Sequence, residues 1–120
     1  TARKLELAAR NIALELFNRV IKKTPVDKGR ARSNWQGSIG LPVLGTVETT
    51  DKNGGATMAK VVSASAGFEV GDTIYLANNL PYIRKLEEGS SQQAPAGMVA
   101  LSVQEFSAIV DKISVEMSKQ

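Results

Sequence analysis

Residues 41–77 read LPVLGTVETTDKNGGATMAKVVSASAGFEVGDTIYLA, and whether this stretch is sheet or helix decides the fold. Three pieces of it, LPVLGTVETT, MAKVVSASAG and FEVGDTIYLA, are rich in Val, Ile, Thr and aromatic residues and are separated by turn formers, a pattern that predicts strands. Asn53-Gly54-Gly55 supplies the left-handed conformers of a hairpin connection. A calcium loop is the alternative for the same residues. Asp51 and Asn53 match its first ligand spacings, but Gly55 and Ala56 stand where a third ligand and the glycine belong, and Val62 replaces the closing acid, so the hairpin tip is preferred. The third piece is expected to bend near Gly71-Asp72, with Phe68, Val70, Ile74 and Leu76 on one face if no bulge intervenes.

On the N-terminal side, residues 3–23 read as a helix because Leu5, Ala9, Ile12, Leu16 and Val20 recur at steps of three or four. Leu7, Leu14 and Ile21 form a second stripe, with Ala13 and Phe17 between the two, so the apolar arc is wider than one core requires. Either a second contact surface or deep packing accounts for that width. Pro25 disfavours a helical Thr24, and the helix is expected to stop near Lys23. A turn follows in TPVDKGRARSNW, residues 24–35, where Pro25 fixes a dihedral, the Asp27 carboxylate accepts from nearby amides and Gly29 takes a positive φ. If residues 30–36 are then extended, Arg30, Arg32, Asn34 and Gln36 share one face and Ala31, Ser33 and Trp35 the other.

On the C-terminal side, Asn78 and Asn79 make a turn, and Pro81 opens a short helix near residues 81–88 whose inner residues are Tyr82, Ile83 and Leu86. Gly89 is expected to end it, and the polar run Ser90–Gln93 leads through Ala94-Pro95 into a last helix. In that helix Val99, Val103, Phe106, Val110, Ile113 and Met117 alternate steps of four and three, which predicts the buried face. The fold expected from these elements is α+β: an antiparallel sheet of about four strands packed with a long N-terminal and a C-terminal helix, all in one domain spanning residues 1–120. A connection as long as residues 78–97 in so small a domain points to binding or assembly.

Composition removes whole classes of function. The 120 residues include no Cys and no His, so disulfides, thiol nucleophiles, Ser-His or Cys-His systems and most transition-metal sites have no residues to build on. No cofactor is expected. Glu87 and Glu88 are adjacent carboxylates, but neighbouring helical residues point about 100° apart and do not face one bond. No phosphate-cradling glycine motif is present, and no catalytic activity is expected. Nor does any window approach the apolar length of a spanning helix, and TARKLELAAR has neither the apolar core nor the cleavage site of a secretory signal, which makes an intracellular assembly site the expectation. The net charge of +3 is split: residues 1–32 carry nine Lys/Arg against three acids, the remainder six against nine. Such a split suits an anionic partner, or the basic part of one copy meeting the acidic part of the next.

TPVDKGRARSNW, followed by IYLANNLPYIRKLEEGSSQQAPAGMV at residues 74–99, closely resembles the small tail-completion (minor tail component) family of long-tailed bacteriophages, proteins of the head-tail junction. The resemblance spans residues 24–106. Its first motif is matched at Thr24, Pro25, Val26, Asp27, Gly29, Arg30, Arg32 and Trp35. Its second is matched at Tyr75, Asn78, Asn79, Pro81, Tyr82, Leu86, Glu87, Gly89, Ala94, Pro95, Gly97 and Met98. The resemblance implies a non-enzymatic virion protein, assembled in the host bacterial cytoplasm, that forms a ring, usually sixfold in such tails, at the head-proximal end of the tail. It implies neighbours among the tail terminator, tail tube and head-closure or connector proteins, and genomic DNA passing near the lumen.

Two rivals stand beside that reading. Another neck component, a tail terminator or head-closure protein, shares the ring logic. A small basic nucleic-acid-binding domain is suggested by the cations of residues 3–32, although phosphate binding needs clustered cations and base reading adds aromatics, of which the chain has few. Within the ring, Arg30 and Arg32 are expected to meet either DNA in the lumen or Glu87 and Glu88 of an adjacent subunit, with the second preferred because strong lumen contacts impede passage.

Overall fold

The computed structural model of the protein describes residues 2–26, 28–88 and 97–119. In chain order the elements are α1 (Ala2–Lys23), α2 (Arg30–Ser33), β1 (Gln36–Ile39), α3 (Gly55–Ala64), β2 (Ile74–Ala77), α4 (Ile83–Glu87), α5 (Met98–Gln104) and α6 (Phe106–Ser118). Asp27, Gly89 and Pro95, together with the Ser/Gln run between them, lie outside the described residues.

The four-stranded sheet expected from the sequence is not found. The molecule is mostly helical, and the sheet among the described residues has two antiparallel strands, with Gln36 opposite Ala77 and Ile39 opposite Ile74. Most of MAKVVSASAG is helix α3. Its Val61-Val62 pair and its hydroxyl residues resemble a strand, but Thr57, Val61 and Ser65 are the buried positions, a spacing of four that only a helix places on one side. The supposed hairpin tip is that helix's start: Gly54 takes a positive φ of 87°, and the Asp51 carboxylate accepts from the amides of Gly54 (3.0 Å) and Thr57 (2.8 Å). Ala56, Met58, Ala59 and Lys60 are strong helix formers, which favours the same outcome. Of FEVGDTIYLA only Ile74–Ala77 is strand, after a turn closed by Asp72 N–H donating to the Glu69 carbonyl at 3.0 Å. LPVLGTVETT belongs to neither strand.

Helix α1, about 33 Å long at 1.5 Å per residue, explains its wide apolar arc by serving two cores. Leu14 and Phe17 pack with buried Val20, Ile21, Trp35, Val61 and Met98. Leu7, Ala8, Ile12 and Leu16 pack instead on α6 residues Ile109, Ile113 and Met117. Deep packing thus accounts for the second stripe. An ion-pair set holds the same helices on their polar side: Glu15 meets Arg19 (2.9 Å) and Lys112 (3.0 Å), while Glu105 meets Arg19 (3.2 Å) and Lys23 (2.7 Å).

The last helix is divided at Glu105, and only part of its expected inner face is inside. Ile113 and Met117 are buried, but Val99, Val103 and Phe106 are 36%, 55% and 48% exposed. The inward line runs through Met98, Ser102, Glu105, Ile109, Ile113 and Met117. Ser102 is buried by donating its hydroxyl to the Met98 carbonyl at 2.7 Å, and Glu105 is neutralised by Arg19 and Lys23. Two polar residues in that line made the neighbouring all-apolar line look like the core.

Candidate assembly site

Thr24 and Trp35 fix the start of the site. Pro25 closes α1, and the Thr24 hydroxyl donates to the Val20 carbonyl (2.7 Å) while accepting from Trp35 Nε1 (2.7 Å). The buried indole therefore enters the core with its polar atom satisfied. Residues 30–33 form a helical turn, α2, rather than the extended run expected, so Arg30 and Arg32 do not stand side by side on an open face. The turn is possible because Gly29 adopts a φ of 89° and lies against the Asp51 backbone, where an added Cβ would come within 2.7 Å. The same approach is bonded: Asp51 N–H donates to the Gly29 carbonyl at 2.9 Å.

Around this turn residues 43–51 are drawn out as a strap held by side chains. Asn79 Nδ2 donates to the carbonyls of Val43 (2.8 Å) and Gly45 (3.0 Å), and Gln36 Nε2 donates to Gly45 (2.7 Å). Fully buried Asn34 donates to the Val47 carbonyl (3.0 Å) and accepts from the Val47 amide (2.8 Å), reproducing the two bonds a neighbouring strand would make. Ser33 donates its hydroxyl to the Thr49 carbonyl. The bonded residues are 43, 45, 47, 49 and 51, a period of two, which is the geometry of an extended chain with one edge turned inward. LPVLGTVETT thus contains an extended segment, but side-chain amides and a hydroxyl do the work of a partner strand.

Arg32 ties the strap's end to α1. Its guanidinium donates to the carbonyls of Lys22 (2.7 Å), Thr24 (3.0 Å) and Lys52. Burial lowers its pKa, against the opposing pull of the Asp51 charge. At Asp51 partial burial would raise the pKa, but bonds from the Thr57 hydroxyl and amide and from the Gly54 and Asn53 amides outweigh it and hold the carboxyl below its ordinary range. Arg30 reaches Glu48 at 3.4 Å, an exposed pair.

The second motif is docked on the first. Asn78 Nδ2 donates to the Ala31 carbonyl at 2.9 Å, and Leu80, which sequence reading passed over, is 2% exposed. Ile83 and Leu86 pack on the Trp35 core, whereas Tyr82, expected inside, is 39% exposed, and Pro81 is exposed as well. Glu87 accepts from the amides of Val99 (2.8 Å) and Ala100 (2.9 Å), satisfying the first turn of α5 from a different helix. Gly97 makes this approach possible: at a φ of 88° its missing side chain leaves the space in which the Glu87 carbonyl oxygen and carboxylate sit. Glu88 is exposed.

Of the residues singled out by sequence, Pro25, Gly29, Arg32, Trp35, Asn78, Asn79, Leu86, Glu87, Gly97 and Met98 are thus drawn into one connected body. Sequence reading missed Ser33, Asn34 and Gln36 as strap holders; the signal was their polar run next to a buried Trp. No group of acids suited to a metal ion occurs among the described residues, and no helix is long and apolar enough to cross a membrane. No protein-family model, curated protein or solved structure matches the chain.

Proposed function

We propose that the chain is a structural virion protein of the tail-completion class, non-enzymatic, which closes into a ring at the head-proximal end of a bacteriophage tail and prepares it for joining to a filled head. The observation that carries this reading is the mutual locking of the two segments that bear the resemblance: Asn78 and Asn79 of the second hold Ala31 and the strap that the first supports. Residues that make the resemblance are therefore those that hold one connected body together.

An assembly role is further supported by the apolar side chains left outside, Leu41 (79% exposed), Leu44 (86%), Val103 and Phe106 among them. Against the nucleic-acid alternative, Arg10 donates to the carbonyls of Ser65 and Val62, Arg19 and Lys23 are paired with acids, and Arg32 is spent on three carbonyls. A phosphate backbone needs cations that are still available. The contact of Arg30 and Arg32 with Glu87 and Glu88 of a neighbour narrows to Arg30 and Glu88, because Arg32 and Glu87 have internal duties.

The test is native mass spectrometry and sedimentation of the purified chain, alone and with isolated tail tubes. A closed oligomer, sixfold in the expectation, that co-sediments with tubes supports the proposal. A chain that stays solitary in both conditions at high concentration overturns it.

A further inference from the structure

The strap has two edges, and the molecule uses one of them. On the inner edge the carbonyls of Val43, Gly45, Val47 and Thr49 and the amides of Val47 and Asp51 are bonded to Asn79, Gln36, Asn34, Ser33 and Gly29. In an extended chain the alternate residues Leu44, Thr46, Glu48 and Thr50 turn their own amides and carbonyls the other way. Among the described residues none of these outward groups has a hydrogen-bond partner, and all four residues are exposed. Such an edge is a template for another strand, and proteins ordinarily blunt it with a proline, a lysine or a bulge. Residues 43–51 contain no proline, lysine or arginine. The edge is also fixed before any partner arrives, because the residues between the outward ones are bonded inward, and this lowers the ordering cost of pairing.

We infer that the outer edge of the strap is a strand-pairing site whose occupant is the same edge of a second copy, the two straps running antiparallel about a twofold axis at Val47. The edge is its own complement in that register. Leu44 stands opposite Thr50 of the second copy and Thr46 opposite Glu48, so every outward residue meets an outward residue and each pair exchanges two main-chain bonds. The Thr46 hydroxyl, a donor, then lies beside the Glu48 carboxylate, an acceptor. A slip of the register one way sets Glu48 directly against Glu48, which like charge opposes. The slip the other way sets Thr50 against Pro42, which has no N–H to give. Each Glu48 also keeps Arg30 of its own chain at 3.4 Å, which offsets the diagonal approach of the two carboxylates. Affinity in strand addition comes from main-chain bonds rather than from apolar area, which suits an edge whose one large apolar outward residue is Leu44. The contact does not rest on the ring reading: a twofold contact ends at two copies and closes no ring.

Amide exchange read residue by residue in the full chain is the test, because the two edges should respond differently. In dilute solution the amides of Leu44, Thr46, Glu48 and Thr50 should exchange freely, while those of Val47 and Asp51, bonded inward, are protected. As concentration rises the first four should slow together, by about tenfold at about ten times the half-pairing concentration, with Val47 and Asp51 unchanged. Sedimentation should show a two-copy species over the same range. Thr46→Pro removes an outward donor from a residue with no inward bond and should abolish both changes, whereas Thr46→Val keeps the donor and should retain them. Protection of the Val47 amide in both variants reports that the strap is intact. Four amides that stay fast up to millimolar concentration overturn the inference, as does a slowing that Thr46→Pro leaves untouched. A slowing seen only when isolated tail tubes are added assigns the edge to another protein and overturns the second copy as its occupant. A chain that forms rings with these four amides still fast keeps the ring reading and loses this one.

Discussion

Both ends of α1 rest on apolar cores, but polar contacts are added in very different measure at the two. At its C-terminal end the strap, α2 and β2 are joined by directional bonds from Arg32, Ser33, Asn34, Gln36, Asn78 and Asn79. At its N-terminal end α1 lies on α6 through Leu7, Ala8, Ile12 and Leu16 against Ile109, Ile113 and Met117. Apolar packing tolerates a change of shape if volume is kept, whereas a buried amide that loses its partners leaves polar atoms exposed to nothing. The polar end should therefore specify one conformation strictly, and the apolar end should be forgiving.

Trp35→Ala attacks the strict end where it also enters the core, and should cost about 4 kcal/mol in denaturant unfolding, combining a cavity with the loss of the indole donor to the Thr24 hydroxyl, which keeps its own bond to Val20. Asn34→Leu keeps the branched shape and removes the three bonds to Val47 and Arg30; a loss of about 3 kcal/mol is expected, and a change under about 1 kcal/mol would break the comparison. The matching change at the other end, Ile109→Val, should cost only about 1 kcal/mol.

Acid sharpens the contrast further. Glu15, Glu105 and Asp51 have pKa values lowered in the fold. For Glu15 burial works against the bonds from Arg19 and Lys112, which win; for Glu105 the bond from Lys23 leads. Each such carboxylate adds stability that is complete above its unfolded value and is lost as pH falls through the folded one. Melting temperature should be flat near neutrality and fall from about pH 4 downward. Asp51→Asn should flatten part of that fall, and an unchanged acid limb would remove Asp51 from the account. Smallest of all, Arg30→Ala breaks an exposed pair with Glu48 and should change stability by less than about 0.5 kcal/mol, while its effect on ring mass reports on the neighbour contact separately.

Legibility followed the same division. Helix α1, its stop at Pro25 and the short helix after Pro81 could be read because apolar periodicity and proline act over a few residues. Helix α3 resembles a strand in sequence because Val, Ser and Thr obscure the spacing of Thr57, Val61 and Ser65, and because Asp51 suits a turn as well as the helix start whose amides it accepts from. The inward face of α5 was obscured by two polar residues: Ser102 is buried on the carbonyl of Met98 one turn back, and Glu105 turns toward Arg19 and Lys23 far along the chain.

The sequence by itself determined where α1 ends, which chemistry the chain lacks, and which glycines and prolines must sit at turns, since these depend on local sterics and on composition. Only the tertiary structure decided that LPVLGTVETT is strapped by side chains and that Arg32 and Glu87 face inward. It also decided that the apolar line Val99, Val103 and Phe106 faces outward. Each of these turns on a hydrogen bond or a packing contact between residues of different elements, from eight residues apart for Arg32 and Thr24 to 36 for Asn79 and Val43, and no periodicity in the sequence marks such pairs.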